Sequence, residues 1–511
     1  MSEITKGKDM NLGEPKYSRK EYASTSCKRQ GEAKDVLAVG LTRITKEVKE
    51  TLQREGVSNQ AMSFKETPAI GKDGTWVETR LKLITQMAKD NSKVKFTSIA
   101  HILNEEYLEQ CYWLLKKDKA SGIDGVTVEE YGVNLKENLK ELVNRMKALH
   151  YYPQSVKRVY IPKGEGKVRG LGIPTVEDKI VQMGIKKILE AIYEVDFTDS
   201  SYGFRPNRSC HKALNELDKT VMTRPINAIV DMDIEKFFDS VNHKWLMECL
   251  KQRISDPSFL RLIVRFLKAG IIEEGKYRET DKGTPQGGVI SPILANIYLH
   301  YILDLWFEKV AKKEIRGYAK LIRYADDFVV CFEDIEAAGK FKGMLKERFA
   351  KFGLKIAEGK SQVIEFGRKV WEITNREGGK VGTFEFLGFT HFCDKTRRGK
   401  FKVGRKTSQK KYNQKMKAMN KWLRNVRNLV KLKEWWKVLE AKLTGHYRYF
   451  GISGNTKMIN KFYHKTSKLV YKWINRRSQK KSCTYAKYCQ YWKDKLPKPK
   501  IYYSIYTLSS V

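Results

Sequence analysis

Asp326 and Asp327 stand side by side in Leu321-Ile322-Arg323-Tyr324-Ala325-Asp326-Asp327-Phe328-Val329-Val330-Cys331-Phe332. Apolar, β-forming runs on both sides predict a hairpin that carries the two aspartates at its tip. Adjacent carboxylates on a half-buried hairpin repel each other and lose hydration, so a cation has to sit against them. A divalent metal is the obvious candidate. Metal-assisted phosphoryl chemistry needs a further carboxylate, and Ala228-Ile229-Val230-Asp231-Met232-Asp233-Ile234 supplies a second strand that ends in acids. On a strand Asp231 and Asp233 point to the same face. If this strand lies beside the hairpin, Asp233 and Asp326 can share two Mg²⁺ ions about 3.5–4 Å apart, the arrangement that activates an attacking oxygen and stabilises a leaving one. Asp327 completes the expected catalytic set, and Ile234 joins the three aspartates in the expected metal set. A lone Asp-Asp pair is usually a surface turn, but that reading leaves the second acid-ended strand unexplained.

The elements around these strands follow from periodicity. Helical spacing is expected from Trp76 onward, over 135–146, 180–193, 290–305 and 335–352, with short strands at 354–356 and 363–366. Residues 156–163 alternate like a strand and return through a turn at 164–167 into 168–171, which brings Lys163 and Arg169 near each other. Such a pair is either a solvated basic hairpin or a contact for a triphosphate. From Lys395 to Lys442 the only acids are Glu434 and Glu440, while basic residues recur among Trp422, Leu423, Val426, Leu429, Trp435, Trp436 and Leu439. That pattern predicts helices with one apolar and one basic face. Lys410, Lys411, Lys415, Arg424 and Arg427 are the residues expected there to bind RNA or a primer–template duplex.

Composition points the same way. Lys and Arg number 99 against 59 Asp and Glu, a net charge of +40, which calls for a polyanionic partner. No apolar run has the length of a bilayer span and the N-terminus lacks a secretory core, so a soluble intracellular protein without a membrane partner is expected. Eight cysteines, none in a C-x-x-C pair, write neither a zinc site nor a disulfide framework. Residues 1–75 are polar and basic, with a short helix expected near 44–52, and read as a segment mostly disordered or ordered by a partner.

Tyr324-Ala325-Asp326-Asp327, Asp233 in Asp-Ile-Glu-Lys-Phe-Phe-Asp, Gly283-Thr284-Pro285-Gln286-Gly287-Gly288, Ser121-Gly122-Ile123-Asp124-Gly125, Arg169-Gly170-Leu171-Gly172-Ile173-Pro174 and Ser201-Tyr202-Gly203-Phe204-Arg205-Pro206 come in one order. Together they resemble the reverse transcriptases encoded by bacterial or organellar group II introns, from about Trp76 to the neighbourhood of Arg477. The resemblance implies an α+β right-hand polymerase, with fingers and palm built on antiparallel sheet, followed by an α-helical thumb/maturase domain. Expected boundaries are 1–75, 76–390, 391–480 and a basic, aromatic tail at 481–511 that binds DNA or packs on the thumb. It also implies that Lys163 and Arg169 touch the incoming nucleotide, that Gln286 is the polar contact under it, and that Lys360 stands near the leaving pyrophosphate. A hairpin at 384–389 would grip the primer. Phe238 lies five residues beyond Asp233, where a bulky ring excludes a 2′-OH, so the nucleotides are expected to be dNTPs. The partners implied are intron RNA, an RNA template and a DNA primer or target, in bacterial cytoplasm or an organelle, with monomer or homodimer left open. Many members carry a C-terminal endonuclease with paired Cys and His; only Cys483 and Cys489 come late and no His follows His464, so that module is expected to be absent. The competing readings are a domesticated reverse transcriptase in defence or repair, and an RNA-binding splicing factor with a vestigial polymerase.

Overall fold

The computed structural model describes residues 60–62, 76–164, 167–284, 287–477 and 483–505. The helix expected near 44–52 and most of the polar N-terminal segment lie outside the described residues. Strand β1 (Gln60–Met62) pairs in parallel with β2 (Val94–Phe96), which follows helix α1 (Trp76–Asp90). Helices α2 (Glu105–Trp113), α3 (Val128–Val133) and α4 (Leu135–Lys147) come next. Their starts are written locally. Asn104 accepts from the Tyr107 amide at 2.9 Å, and Thr127 and Glu130 form a reciprocal capping box. Strands β3 (Val156–Gly164) and β4 (Lys167–Ile173) form the basic hairpin, after which α5 (Val176–Tyr193) buries most of its length.

The centre of the chain alternates α6 (Cys210–Thr223), β5 (Ala228–Asp233), α7 (Phe237–Ser240), α8 (His243–Leu250) and α9 (Pro257–Leu267). A small hairpin, β6 (Ile271–Glu273) and β7 (Lys276–Arg278), joins β3 in a sheet of order β4-β3-β6-β7. Helix α10 (Ser291–Leu299) runs on through π-helical turns at His300–Asp304 and Phe307–Ala311, longer than the 290–305 expected. Strands β8 (Ala319–Tyr324) and β9 (Asp327–Phe332), helix α11 (Ile335–Lys351) and strand β10 (Gln362–Glu365) complete a four-stranded antiparallel sheet of order β10-β5-β9-β8. Of the strand expected at 354–356, only a single bridge between Ile234 and Ile356 forms.

One buried cation positions this sheet's hairpin. Arg323 and Asp304 are both fully buried, and the guanidinium donates to both carboxylate oxygens, at 2.7 and 2.5 Å. The same guanidinium donates to Asn296 Oδ1, Ser201 Oγ and the Ala325 carbonyl, at 3.0, 2.9 and 3.0 Å. The π-helical turn that ends at Asp304 belongs to the stretch that aims this acid, as π-bulges often do at working sites. Arg323 also bridges to Ser201, and the Asn296 amide holds the Gly203 carbonyl at 2.7 Å. A Cβ on Gly203 would lie 2.3 Å from the Ala325 nitrogen, so only glycine lets this backbone pass under the turn.

After α12 (Arg368–Arg376), strands β11 (Phe384–Phe386), β12 (Phe389–Lys395) and β13 (Phe401–Thr407) form a second sheet. Residues 401–407 were expected within helices; they are strand, because Phe401, Val403 and Thr407 alternate into the core opposite β12. The expected boundary at 390/391 falls within β12. Three helices follow, α13 (Gln409–Leu429), α14 (Leu432–Phe450) and α15 (Thr456–Asn475), then the short α16 (Tyr485–Tyr491). One apolar core joins α6, the palm sheet and these helices through Leu217, Ile229, Phe386, Leu439 and Tyr447. The described part of the tail packs onto it: Tyr488 and Leu496 are buried, and Tyr503 bridges Ile452. The described residues form one compact unit.

Candidate active site

Strand register brings the two acid-bearing segments together. Asp233, the last residue of β5, is the direct partner of Asp327, the first of β9, and Asp327 is in turn paired with Tyr324 of β8. Directly paired residues share a face, so two carboxylates and a tyrosine form a row across the sheet. Asp326 occupies the two-residue turn with Ala325, whose φ of 57° is left-handed. Burial pushes Asp327 up to about 7, helped by the charges of Asp326 and Asp233, while a hydrogen bond from the Leu387 amide and the Lys411 charge pull the other way. Asp231 is likewise raised to about 7, by burial first and then by Asp327 and Asp233. It pairs with Gln362 of β10. Asp231 was read from the sequence only as sharing a face with Asp233; the third charge it adds needs the β5–β9 register to be seen.

Lys360 donates from its ammonium to the Asp233 carboxylate. As the side chains stand, no three acids, histidines or cysteines among the described residues are gathered closely enough to hold a metal ion. The donor set nevertheless fits a divalent cation: Asp233 and Asp327 are direct partners with Asp326 in the adjoining turn, and burial, with the neighbouring charges adding to it, holds Asp327 well above an ordinary aspartate, so a cation there would be stabilising. The Ile234 side chain is buried and apolar, so only its main-chain carbonyl remains as a ligand.

The chain then turns beyond β5. Lys236 takes a left-handed φ of 44°, sending Phe237 into the core and leaving Phe238 half-buried, with the two rings 5.3 Å apart. The Phe238 carbonyl accepts from the Thr284 amide at 2.7 Å, and His243 Nε2 lies 2.6 Å from the Gly283 carbonyl. The glycine-rich loop is thereby seated on Phe238. Pro285 and Gln286 lie outside the described residues. Where the loop resumes, a Cβ on Gly287 would come 2.6 Å from the Gly172 carbonyl, so it touches β4. Arg169 is exposed on that strand, opposite Ile161. The Lys163 backbone belongs to β3 at a register irregularity, and its side chain lies outside the described residues.

On the other side the thumb faces the row. Leu387 and Gly388, at φ 51° and 78°, make the two-residue turn between β11 and β12, and Tyr449 donates to the Leu387 carbonyl at 3.0 Å. Positive φ at both positions is what a tight hairpin requires. A groove of about 750 Å³ runs from Asp327 and Leu387 to Lys411, Lys415, Trp422 and Lys442. The five basic residues expected to bind RNA do not share one face. Lys411 and Lys415 line this groove, whereas Arg424 lines a separate notch with Lys417 and Lys421, and Arg427 lies over the Trp473 ring at 4.9 Å. At about 100° per residue, Lys410 also falls on the Lys417, Lys421 and Arg424 side.

Paired acids at the end of an antiparallel sheet, an aromatic ring on the turn that follows, and a cationic helix lining the groove that reaches the acids define a right-hand, template-directed polymerase. The family model described as reverse transcriptase (RNA-dependent DNA polymerase) matches residues 161–391. Protein YkfC of Escherichia coli strain K12 is 33% identical over 342 residues, covering 59% of this chain and 90% of that protein. Group II intron-encoded protein LtrA of Lactococcus lactis subsp. cremoris is 39% identical over 224 residues, 43% of this chain but 37% of LtrA. Nuclear intron maturase 4, mitochondrial, of Arabidopsis thaliana is 27% identical over 131 residues, 25% of this chain and 16% of the relative. The chain belongs to the group II intron reverse transcriptase/maturase family.

Unfolded aspartates ionise near 3.9, so with Asp231 and Asp327 both raised to about 7 the folded protein holds more protons between those values. Stability from this cluster is therefore greatest at the acid end of that window and falls as pH rises through about 7. The melting temperature of metal-free protein should drop from about pH 5 to about pH 7.5. Asp231→Asn or Asp327→Asn should shrink that drop, and Mg²⁺ at the higher pH should raise the wild type more than Asp327→Asn. Equal slopes for wild type and both variants would contradict this charge assignment.

Proposed function

We propose that this chain is the RNA-directed DNA polymerase of a group II intron, copying intron RNA into DNA from a DNA primer and assisting the splicing of that RNA. The observation that carries the reading is the pairing of Asp233 with Asp327, with Phe238 five residues beyond Asp233. Mg²⁺ held by Asp233, Asp326, Asp327 and the Ile234 carbonyl would supply the activation of the attacking oxygen and the stabilisation of the leaving one. The chain's own residues do the rest. Lys360 neutralises Asp233, and its ammonium would serve the oxygens of the leaving pyrophosphate. Arg169, with Lys163, answers the triphosphate, and Gln286 the base above it. Phe238 stands where a ribose 2′-OH would fall. Lys411 and Lys415 neutralise phosphates of the primer–template duplex beside Asp327, while Lys417, Lys421 and Arg424 offer a second, outward surface for intron RNA. No described helix is long and apolar enough to cross a membrane; bacterial cytoplasm or an organelle suits the named relatives.

Replacing Phe238 with Val or Ala should admit ribonucleotides while some deoxynucleotide incorporation survives, because only a steric barrier is removed. Single-nucleotide incorporation on an RNA template reads this. Unchanged discrimination would make Phe238 a packing residue.

The two basic surfaces should separate by assay. Lys417→Glu, Lys421→Glu and Arg424→Glu together should weaken intron-RNA binding and flatten its salt dependence by about 2–3 units in the log–log slope, leaving short primer extension largely intact. Lys411→Glu with Lys415→Glu should instead impair extension. Equal damage to both activities from either set would remove the distinction.

A further inference from the structure

Phe204 is 52% exposed, although its neighbours Ser201, Tyr202 and Arg205 are 0%, 5% and 8% exposed. Its φ of 56° is left-handed, a conformation that a bulky L-residue adopts only when its surroundings impose it. Both flanks impose it here. On one side the Gly203 carbonyl is held by Asn296, and the Tyr202 amide donates to the Arg323 carbonyl at 2.8 Å. On the other, Arg205 donates to the Glu194 carboxylate and to the carbonyls of Thr198 and Ser201. The result is an aromatic ring thrust into solvent from a clamped backbone, 6.3 Å from the ring of Tyr324. Burial does not explain it.

Its place in the site suggests what does. Tyr324 is the direct partner of Asp327, which is the direct partner of Asp233, which is bonded to Lys360. Across the sheet the order is therefore cation, two carboxylates, tyrosine, phenylalanine. Phosphate chemistry belongs at the charged end, and at the other end the exposed Phe204 beside the half-buried Tyr324 offers a π-face and an apolar edge to a nucleobase or sugar. Asp327, the direct partner of Tyr324, opens onto the thumb groove lined by Lys411 and Lys415.

We propose that Phe204 is a positioning residue that packs with Tyr324 against the terminal base pair of the primer–template duplex, fixing the primer end over Asp233 and Asp327. This rests on the polymerase reading above and adds a contact to it. The conformation makes the test clean, because glycine tolerates positive φ without strain. Phe204→Gly should melt no lower than wild type, yet release a fluorescent RNA–DNA primer–template about tenfold faster, as loss of one stacking contact does. Run length per binding event should shorten, and Phe204→Trp should restore much of the retention. Affinity for intron RNA, measured on the same proteins, should stay unchanged.

A Phe204→Gly variant that melts markedly lower would make the ring a packing element and overturn the proposal. So would duplex release at the wild-type rate, or an equal loss of intron-RNA affinity. Release is read without chemistry, so a wild type that holds the duplex but makes no DNA would sink the polymerase reading while leaving this measurement intact.

Discussion

The site hangs on the buried guanidinium of Arg323. Bringing a cation and the Asp304 carboxylate fully out of water is costly, and the pair is tolerated because every strong donor direction of Arg323 finds oxygen. Removing one partner of such a pair typically costs about 3–5 kcal/mol, since the other charge is left buried and unpaired. What that energy holds in place is specific: the carbonyl of Ala325 in the aspartate turn, the Ser201 segment below it, and the helix carrying Asn296 and Asp304. Three pieces distant in sequence are fixed to one planar group. The turn therefore cannot shift its register without breaking several of these bonds together.

Around that fixed point the chain is strained and overcharged. Lys236, Ala325 and Leu387 all adopt left-handed φ values, and each sits on one of three loops that converge on the carboxylates. Asp231, Asp327 and Asp233 repel one another within the same face of the sheet. Such features lower stability and are retained where function requires a preset geometry. The hydrophobic core on the same face compensates: Ile229, Val329 and Cys331 alternate in step with the aspartates, and from them the core runs from the palm sheet into the thumb helices.

Much of this was legible in the sequence. Short apolar, β-forming runs bordering aspartates located β5, β8 and β9, and their pairing needs no more than an antiparallel sheet. The sequence was least informative where tertiary contact overrides local pattern. Residues 401–407 carry the basic composition of the thumb, yet they pair with β12 because that edge was open. The strand expected at 354–356 shrinks to one bridge at Ile356, the partner of Ile234 just beyond β5. The basic residues of α13 were grouped by composition, whereas helical geometry divides Lys411 and Lys415 from Arg424; counting at about 100° per residue would have separated them beforehand. The contact of Leu387 with Asp327 had no sequence signal, since it depends on a backbone amide presented by a turn.

Everything above turns on whether the row formed by Asp233 and Asp327 makes DNA. The direct measurement is extension of a DNA primer on an RNA template with dNTPs and Mg²⁺, comparing wild type with Asp233→Asn and Asp327→Asn, each checked for folding and for RNA binding. The account predicts extension by the wild type and its loss in both variants, with RNA binding retained because the basic helices are untouched. Near-normal DNA synthesis by either variant would contradict it.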